Sequence, residues 1–440
     1  MVDAELEALQ RETFRYFLHE TNPHNGLVRD KTATDWPSSI AATGLGLAVY
    51  PVAVERGFIT RTAAVERILT TLRFFWNSRQ GPEPDATGYH GFYYHFLDMQ
   101  SGRRAWQCEL STVDSTILLA GALTAGAYFD ADTTEEKEIR ALADALYRRV
   151  DWPWAQNGGL TVTHGWKPES GFLQYRWEGY DEALVLYILG LGSPTYPLPR
   201  ESYAAWASTY EWKRSYRYDY LYAGPLFTHQ ISHVWIDFRG IQDAFMRDKG
   251  IDYFENTRRA VYAQRAFAIA NPNGFHEYGA NVWGFTACDG PGKLREFDRT
   301  NRFRYYLDYS ARGAGRSHTI DDGTIAPTAV LSSLPFAPEI VIPAVELMHA
   351  RYGKFIYSKF GFVDSFNRSL TATDAKLSDG RIDPAFGWVA SDCIGIDQGP
   401  ILAMIANFTN GSVWQTMTKC AQLRRGLQRA GFTGGWLEED

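Results

Sequence analysis

Cysteine is scarce in this chain. Four occur in 440 residues, Cys108, Cys288, Cys393 and Cys420, all far apart and none in a CxxC pair. That spacing offers neither a zinc site nor a disulfide framework, so they read as buried thiols. Long apolar runs are missing too: nothing approaches the roughly 18 consecutive apolar residues that suggest a membrane span. Positive charge is in deficit, with 44 Lys and Arg against 51 Asp and Glu and a formal net charge of −7. With no basic stripe, neither nucleic acid nor an anionic membrane is an expected partner, and a neutral substrate fits better. The opening Met1-Val2-Asp3-Ala4-Glu5-Leu6 is acidic and amphipathic and lacks the basic and apolar regions of a secretory signal. The expectation is a cytoplasmic protein, or a periplasmic or secreted one whose leader has been removed. Low-complexity linkers are absent, and no repeat of about 20–50 residues is visible.

Aromatic surface, by contrast, is plentiful. Phe, Trp and Tyr make up 15% of the chain, with 14 Trp and 25 Tyr. A flat apolar face joined to a polar edge suits carbohydrate binding, and it suits an aromatic-rich helical core equally well.

Apolar residues recur with helical period through most of the sequence. Leu6, Leu9, Phe14, Phe17 and Leu18 share a face of a first helix. Ser38 or Ser39 caps a second through Leu45, Leu47 and Val52 toward Gly57, and Thr60 caps a third through Val65, Ile68, Leu72 and Phe75. Thr112 opens a fourth that is apolar nearly all round over 117–123 and so buried on several sides. Thr133 and Glu136 have capping-box spacing for the next. Further helices are expected over 181–191, 201–212, 226–237, 252–270, 324–334, 338–352, 398–407 and 413–430. Strand signals are few, at 91–97 and 159–164. A single all-α domain over 1–440 is the simplest reading, and paired helices in a ring, apolar inside and amphipathic outside, would use about a dozen such segments economically. Four connections rich in Gly, Trp, Asp and Tyr, at 76–106, 152–177, 271–322 and 357–397, are too long for simple connectors, so a cleft is expected there.

The stretch Trp177-Glu178-Gly179-Tyr180-Asp181-Glu182 sets three carboxylates among aromatic residues ahead of an apolar run. Cleaving a glycosidic bond usually needs one carboxyl group to protonate the leaving oxygen and a second to activate water or attack the anomeric carbon. Aromatic walls stack on sugar and, by excluding water, raise a carboxyl pKa toward the range useful to an acid. The same acids in a first helical turn would also suit the helix dipole. Asp114, in the first turn of the buried fourth helix, is costly there unless paired or pointed into a polar cavity.

His229 and His233 are four apart, as in HExxH, but Gln230 stands where the metalloprotease Glu would be, and no metal is expected. These histidines, with Trp235 and Arg239, are candidates to meet substrate hydroxyls or neighbouring carboxylates, or to serve packing. Glu277, Trp283, Thr286 and Asp289 sit in Gly-rich loops placed to contact sugar. Asp321 and Asp322 precede one apolar helix and Asp397 another; capping is preferred for Asp322, while for Asp397 function and capping compete. Asp364 is a further acid in an aromatic loop.

The segments WEGYDEALVLYILGLGSP, GPLFTHQISHVWIDFRG, WGFTACDGPG, DDGTIAPTAVLSSLPFAPEIVIPA and IGIDQGPILAMIAN resemble the glucoamylase-like family that contains the bacterial endo-β-1,2-glucanases of glycoside hydrolase family 144. The resemblance spans 36–407. It implies an (α/α)6 toroid with a cleft at one end. It also implies hydrolysis of β-1,2-linked glucan, linear or cyclic, or of oligosaccharides such as sophorose, with inversion, by carboxylates and without metal or cofactor. Carried over by position, Glu182 is the proton donor, Asp114 the acid opening the fourth helix, and Asp397 or Asp364 the base. Trp177, Glu178, Tyr180 and Asp321 join the substrate contacts. Related toroids include retaining β-1,2-glucan transglycosylases, for which Glu277 offers a second carboxylate, and a sugar-binding protein of the same fold is the non-catalytic alternative.

Overall fold

Short polar side chains start the helices of the N-terminal half. Ser39 Oγ accepts from Ala42 N at 3.3 Å, Thr60 Oγ1 from Ala63 N at 3.2 Å and Thr133 Oγ1 from Glu136 N at 3.2 Å. They open the helices Ile40–Glu55, Arg61–Asn77 and Thr134–Arg148. The capping box at Thr133 is only half made, because the Glu136 carboxylate accepts from Ala131 N and from Arg61. The cap of Thr112–Tyr128 is Ser111, one residue ahead of the expected start.

The computed structural model describes residues 3–315 and 319–438. The chain is mostly helical, and its strands are two to four residues long. Among the described residues no helix is long and apolar enough to cross a membrane. All four cysteines are buried and free. Two compact units are formed, one from Met1–Arg15, Glu211–Ile231 and Phe254–Phe408, the other from Tyr16–Tyr210, Ser232–Tyr253 and Thr409–Asp440.

In the second unit the helices Ile40–Glu55, Thr112–Tyr128 and Leu184–Gly192 are buried along most or all of their length. Amphipathic helices, Arg61–Asn77, Thr134–Arg148 and Ala421–Arg429, pack against this apolar set. The contact between Ile40–Glu55 and Thr112–Tyr128 requires glycine: a Cβ on Gly121 would lie 1.8 Å from the Gly44 carbonyl oxygen. A five-stranded antiparallel sheet, ordered Gly88–Tyr89, Phe92–Tyr94, Leu110–Ser111, Gly165–Lys167 and Gly171–Phe172, lies at the entry to Thr112–Tyr128. The separate pair Ser38–Ser39 and Phe96–Leu97 leads into Ile40–Glu55.

In the first unit Tyr253–Ala270 contributes all but its first residue, Pro327–Leu331 and Pro338–Leu347 follow, and Gly395–Thr409 contributes all but its last residue. A four-stranded sheet there is ordered Thr324–Ile325, Phe366–Asn367, Gly387–Val389 and Arg381–Asp383.

Several boundaries depart from the sequence reading. The helix expected over 181–191 starts at Leu184. That over 201–212 ends at Ala207, and Trp212–Ser215 forms a hairpin with Tyr218–Leu221. The 226–237 segment is α-helical only over Leu226–Gln230, then becomes a 3-10 turn at Ile231–Val234. In 324–334 the helix waits until Pro327, because the residue before a proline is steered to extended backbone and proline itself favours the first helical position. Pro338–Leu347 runs into a π turn at Met348–Tyr352, and 413–430 breaks into Ser412–Thr418 and Ala421–Arg429. The strand sought at 159–164 lies instead at Gly165–Lys167.

Candidate functional site: two buried carboxylate clusters

The Trp177 to Glu182 stretch is a folded turn. Trp177 N donates to Val162 O at 2.9 Å, and Gly179, at φ +84, donates to Trp206 O at 2.8 Å. Asp181 Oδ1 accepts from Ala183 N and from Trp206 Nε1, both at 3.0 Å. This local bond to the amide two residues on is an Asx turn, which holds 181–183 out of the helix. Glu182 therefore sits just ahead of the Leu184 helix, and Glu178, exposed, accepts from Thr161 Oγ1 at 2.8 Å. The three acids of this stretch therefore precede the helix and do not occupy its first turn. Trp177 donates Nε1 to Thr112 Oγ1 at 3.0 Å and stacks on His164 at 3.8 Å, while Tyr180 packs on Tyr210 and Tyr253.

Asp114 lies one turn into its helix, 7% exposed, and its Oδ2 accepts from Ser111 Oγ at 2.5 Å. His95, in the turn between two strands, places Nδ1 at 2.8 Å from Glu109 Oε1 and Nε2 at 3.6 Å from Asp114 Oδ2. Its backbone is held as well: His95 N donates to Glu109 O at 3.0 Å, and Ile40 N donates to His95 O at 3.2 Å. Burial opposes charge on this imidazole, but Asp114, Glu109 and Asp30 outweigh it and push the ring up to about 9.

Glu182 keeps some accessible surface, but its carboxyl is deep among protein atoms. Burial raises its pKa well above the ordinary carboxyl range, Asp114 and Asp181 add to the rise, and His95 pulls it partly back. Burial likewise raises Asp181 to about 7, against the two hydrogen bonds it accepts. A carboxyl group raised in this way keeps its proton to higher pH than an ordinary one, as a proton donor requires. Among the described residues, His95, Glu109 and Asp114 bring three possible metal-ligating atoms within 4.8 Å of one another. The same atoms pair with one another, His95 Nδ1 with Glu109 and Nε2 with Asp114.

A second cluster lies in the other unit. Asp364, 2% exposed, accepts from Asp289 N at 2.7 Å and shares a hydrogen bond with Asp397. Burial, Asp397 and Asp289 together raise Asp364 well above the ordinary carboxyl range. Asp397 falls inside the first turn of Gly395–Thr409, so it does not cap that helix. Asp289 is buried beside them, and its carbonyl accepts from Ser365 Oγ at 2.8 Å.

The other residues singled out are placed as follows. His229 is buried, 3.3 Å from Ala223 O, and burial pushes it down to about 4. The change to a 3-10 turn after Gln230 ends the regular helical spacing between His229 and His233. His233 is buried against Phe238, and its carbonyl accepts from Trp414 Nε1 at 2.6 Å. Trp235 is buried; Arg239 is exposed, paired with Asp237 and laid over Trp414. Trp283 is fully buried, and Thr286 Oγ1 accepts from Phe227 N at 3.0 Å. Asp321 accepts from Asn273 and Tyr278. Asp322 caps no helix; it holds Arg312 through two 2.8 Å bonds, and Ala326 occupies the cap position of the next helix. Burial would raise Glu277, but Arg368, Tyr352 and Arg351 hold it down to about 2.

Sequence reasoning missed His95 and Glu109. The signal lay in the 91–97 strand segment: antiparallel pairing of Tyr94 with Leu110 carries His95 alongside Glu109.

Similarity to known proteins points to the glucoamylase-like family. The chain belongs to that family: the family model described as "Putative glucoamylase" matches residues 174–421. The exo β-1,2-glucooligosaccharide sophorohydrolase of Parabacteroides distasonis is 26% identical over 459 aligned residues, covering 96% of this chain. The chain spans 57% of that relative's length. Among solved structures, a "putative glucoamylase" of Bacteroides uniformis is 30% identical, with TM-score 0.84 over 100% of this chain and 99% of its own. The endo-β-1,2-glucanase of Chitinophaga pinensis, in complex with sophorotriose and glucose, is 26% identical, with TM-score 0.83 over 99% of each chain.

Proposed function

We propose that the chain is a glycoside hydrolase that cleaves β-1,2-linked glucan or its oligosaccharides, with Glu182 as the proton donor. The observation that carries this reading is Glu182 itself: a carboxyl group whose pKa is raised by burial and by Asp114 and Asp181, in a family whose relatives act on β-1,2-glucan and its oligosaccharides. Its architecture is read as one catalytic (α/α)6 toroid over 1–440. Buried helices with amphipathic partners, in the order expected of such a ring, support that reading. The substrate is uncharged, in keeping with the acidic chain, and aromatic residues and carboxylates supply its contacts. Inversion is the stereochemical outcome proposed, and the base is sought at Asp397 or Asp364.

The test is Glu182→Gln. Turnover of β-1,2-glucan should fall roughly 10²–10⁴-fold while glucan binding and thermal stability stay close to wild type. Near-normal turnover of the variant would remove Glu182 from the role. Asp397→Asn and Asp364→Asn, assayed alongside, assign the base to whichever loses turnover to a comparable degree.

A further inference from the structure

Trp106 is a tryptophan the carboxylate chemistry does not use, and its setting is unusual for this chain. Trp152, Trp206, Trp235, Trp283 and Trp388 are fully buried, whereas Trp106 is 56% exposed. It is also rigidly presented. Trp106 and the following Gln107 both adopt left-handed backbone, at φ +54 and +52. Arg104, whose side chain is buried, ties the turn down by donating to Cys108 O at 2.6 Å and Gln107 O at 2.8 Å while gripping Glu169. Ala105 N donates to Phe96 O at 2.9 Å, and Cys108 N to Ala105 O at 3.1 Å.

The ring belongs to a continuous aromatic series. It meets Phe96 at 5.1 Å and Trp36 edge-on at 4.8 Å. Phe96 in turn stacks on His95 at 4.0 Å with only 12° between the planes, and His95 bridges Glu109 and Asp114. Trp36 is fixed by its Nε1 bond to Asp30 Oδ2 at 3.0 Å, and Lys31 covers one of its faces. Polar residues adjoin these rings: Lys31 lies over Trp36, and Asp35 and Gln107 are the chain neighbours of Trp36 and Trp106. Flat apolar faces held in place beside polar edges are what a pyranose ring needs, since its C–H face stacks while its equatorial hydroxyls bond outward.

We infer that Trp106, with Phe96 and Trp36, forms a stacking subsite for a glucose unit of a β-1,2-linked chain, reached from the Asp114 carboxylate through the His95 and Phe96 rings. The inference rests on the β-1,2-glucan reading above and adds to it a determinant of chain-length preference. A short oligosaccharide held at the carboxylates stops before the platform, and a longer one gains it.

The experiment compares wild type, Trp106→Ala, Trp36→Ala and Trp106→Phe on β-1,2-gluco-oligosaccharides of increasing length. The readout is the ratio of kcat/KM for the longest chain to that for the shortest cleaved. Trp106→Ala is expected to lower this ratio tenfold or more, Trp36→Ala to lower it less, and Trp106→Phe to keep most of it. An unchanged ratio in Trp106→Ala overturns the subsite. If wild type cleaves no β-1,2-glucan, the functional reading fails separately. The subsite is then judged by quenching of tryptophan fluorescence on addition of β-1,2-glucan, and quenching that is absent in wild type, or undiminished in Trp106→Ala, overturns it.

Discussion

His95 faces Asp114, Glu109 and Asp30, and Glu182 faces Asp114, Asp181 and His95. His95 supplies the positive charge acting on Glu182, and it lowers that carboxyl against the three influences that raise it. A general acid works only while protonated, so activity is expected to fall as pH rises through the raised Glu182 value. Removing the imidazolium with His95→Asn takes away the lowering influence and should move this alkaline limb to higher pH. A pH–rate profile of kcat/KM checks it; a limb that stays put, with only the height reduced, would leave His95 a packing role. Asp181 makes a different prediction. Its folded value of about 7 lies above the ordinary 3.8, so the stability it contributes is complete below about pH 4 and is lost as pH rises toward 7. Asp181→Asn, which keeps an oxygen to accept from Ala183 and Trp206, should flatten the dependence of melting temperature on pH across that window. These acids were legible one by one in the sequence. Their shifts were not, because burial drives them and folding brings in the remaining influences, such as Asp114 and His95 against Glu182.

At the level of elements, what could be read locally was read best. Ser39, Thr60 and Thr133 announce their helices because a cap bonds to an amide three residues away, and no distant contact decides it. Boundaries slipped where a local bond or a proline overrode apolar periodicity, as at Asp181 ahead of Leu184 and at Pro327 after Ala326. The buried character of Thr112–Tyr128 was legible in its composition, but the need for Gly121 was not, since only its packing partner reveals it. Gly121→Ala would drive a methyl group into the Gly44 carbonyl and force the two helices apart. The expected cost is about 1–3 kcal/mol or more, read as a lowered denaturation midpoint. Gly353→Ala, where an added Cβ meets nothing within 4 Å, provides the contrast.

For the whole molecule, family membership narrows the chemistry and stereochemistry decides between its branches. If the enzyme inverts, the first product released from a β-1,2 linkage is the α-anomer, visible by proton NMR before mutarotation. A β-anomer formed first would favour a retaining transglycosylase. In that case the pairing of Glu277 with Arg368, Arg351 and Tyr352 would bear on the chemistry, since it holds that carboxylate ionised, as a nucleophile requires. The helical class was legible from periodicity over the whole length. The division into two compact units was not, because each unit is assembled from three separate stretches of chain.

The double backbone tie at residue 95 has a practical meaning for all such experiments. Ile40 N and His95 N make their bonds with main-chain atoms, so the junction between the two helix entries is built without the imidazole. Both bonds remain available to any residue at 95 that keeps its backbone N–H. Position 95 is therefore a socket in which charge, size and hydrogen bonding can be exchanged one at a time, making it the cleanest place in the chain to ask how much of the acid's strength is electrostatic.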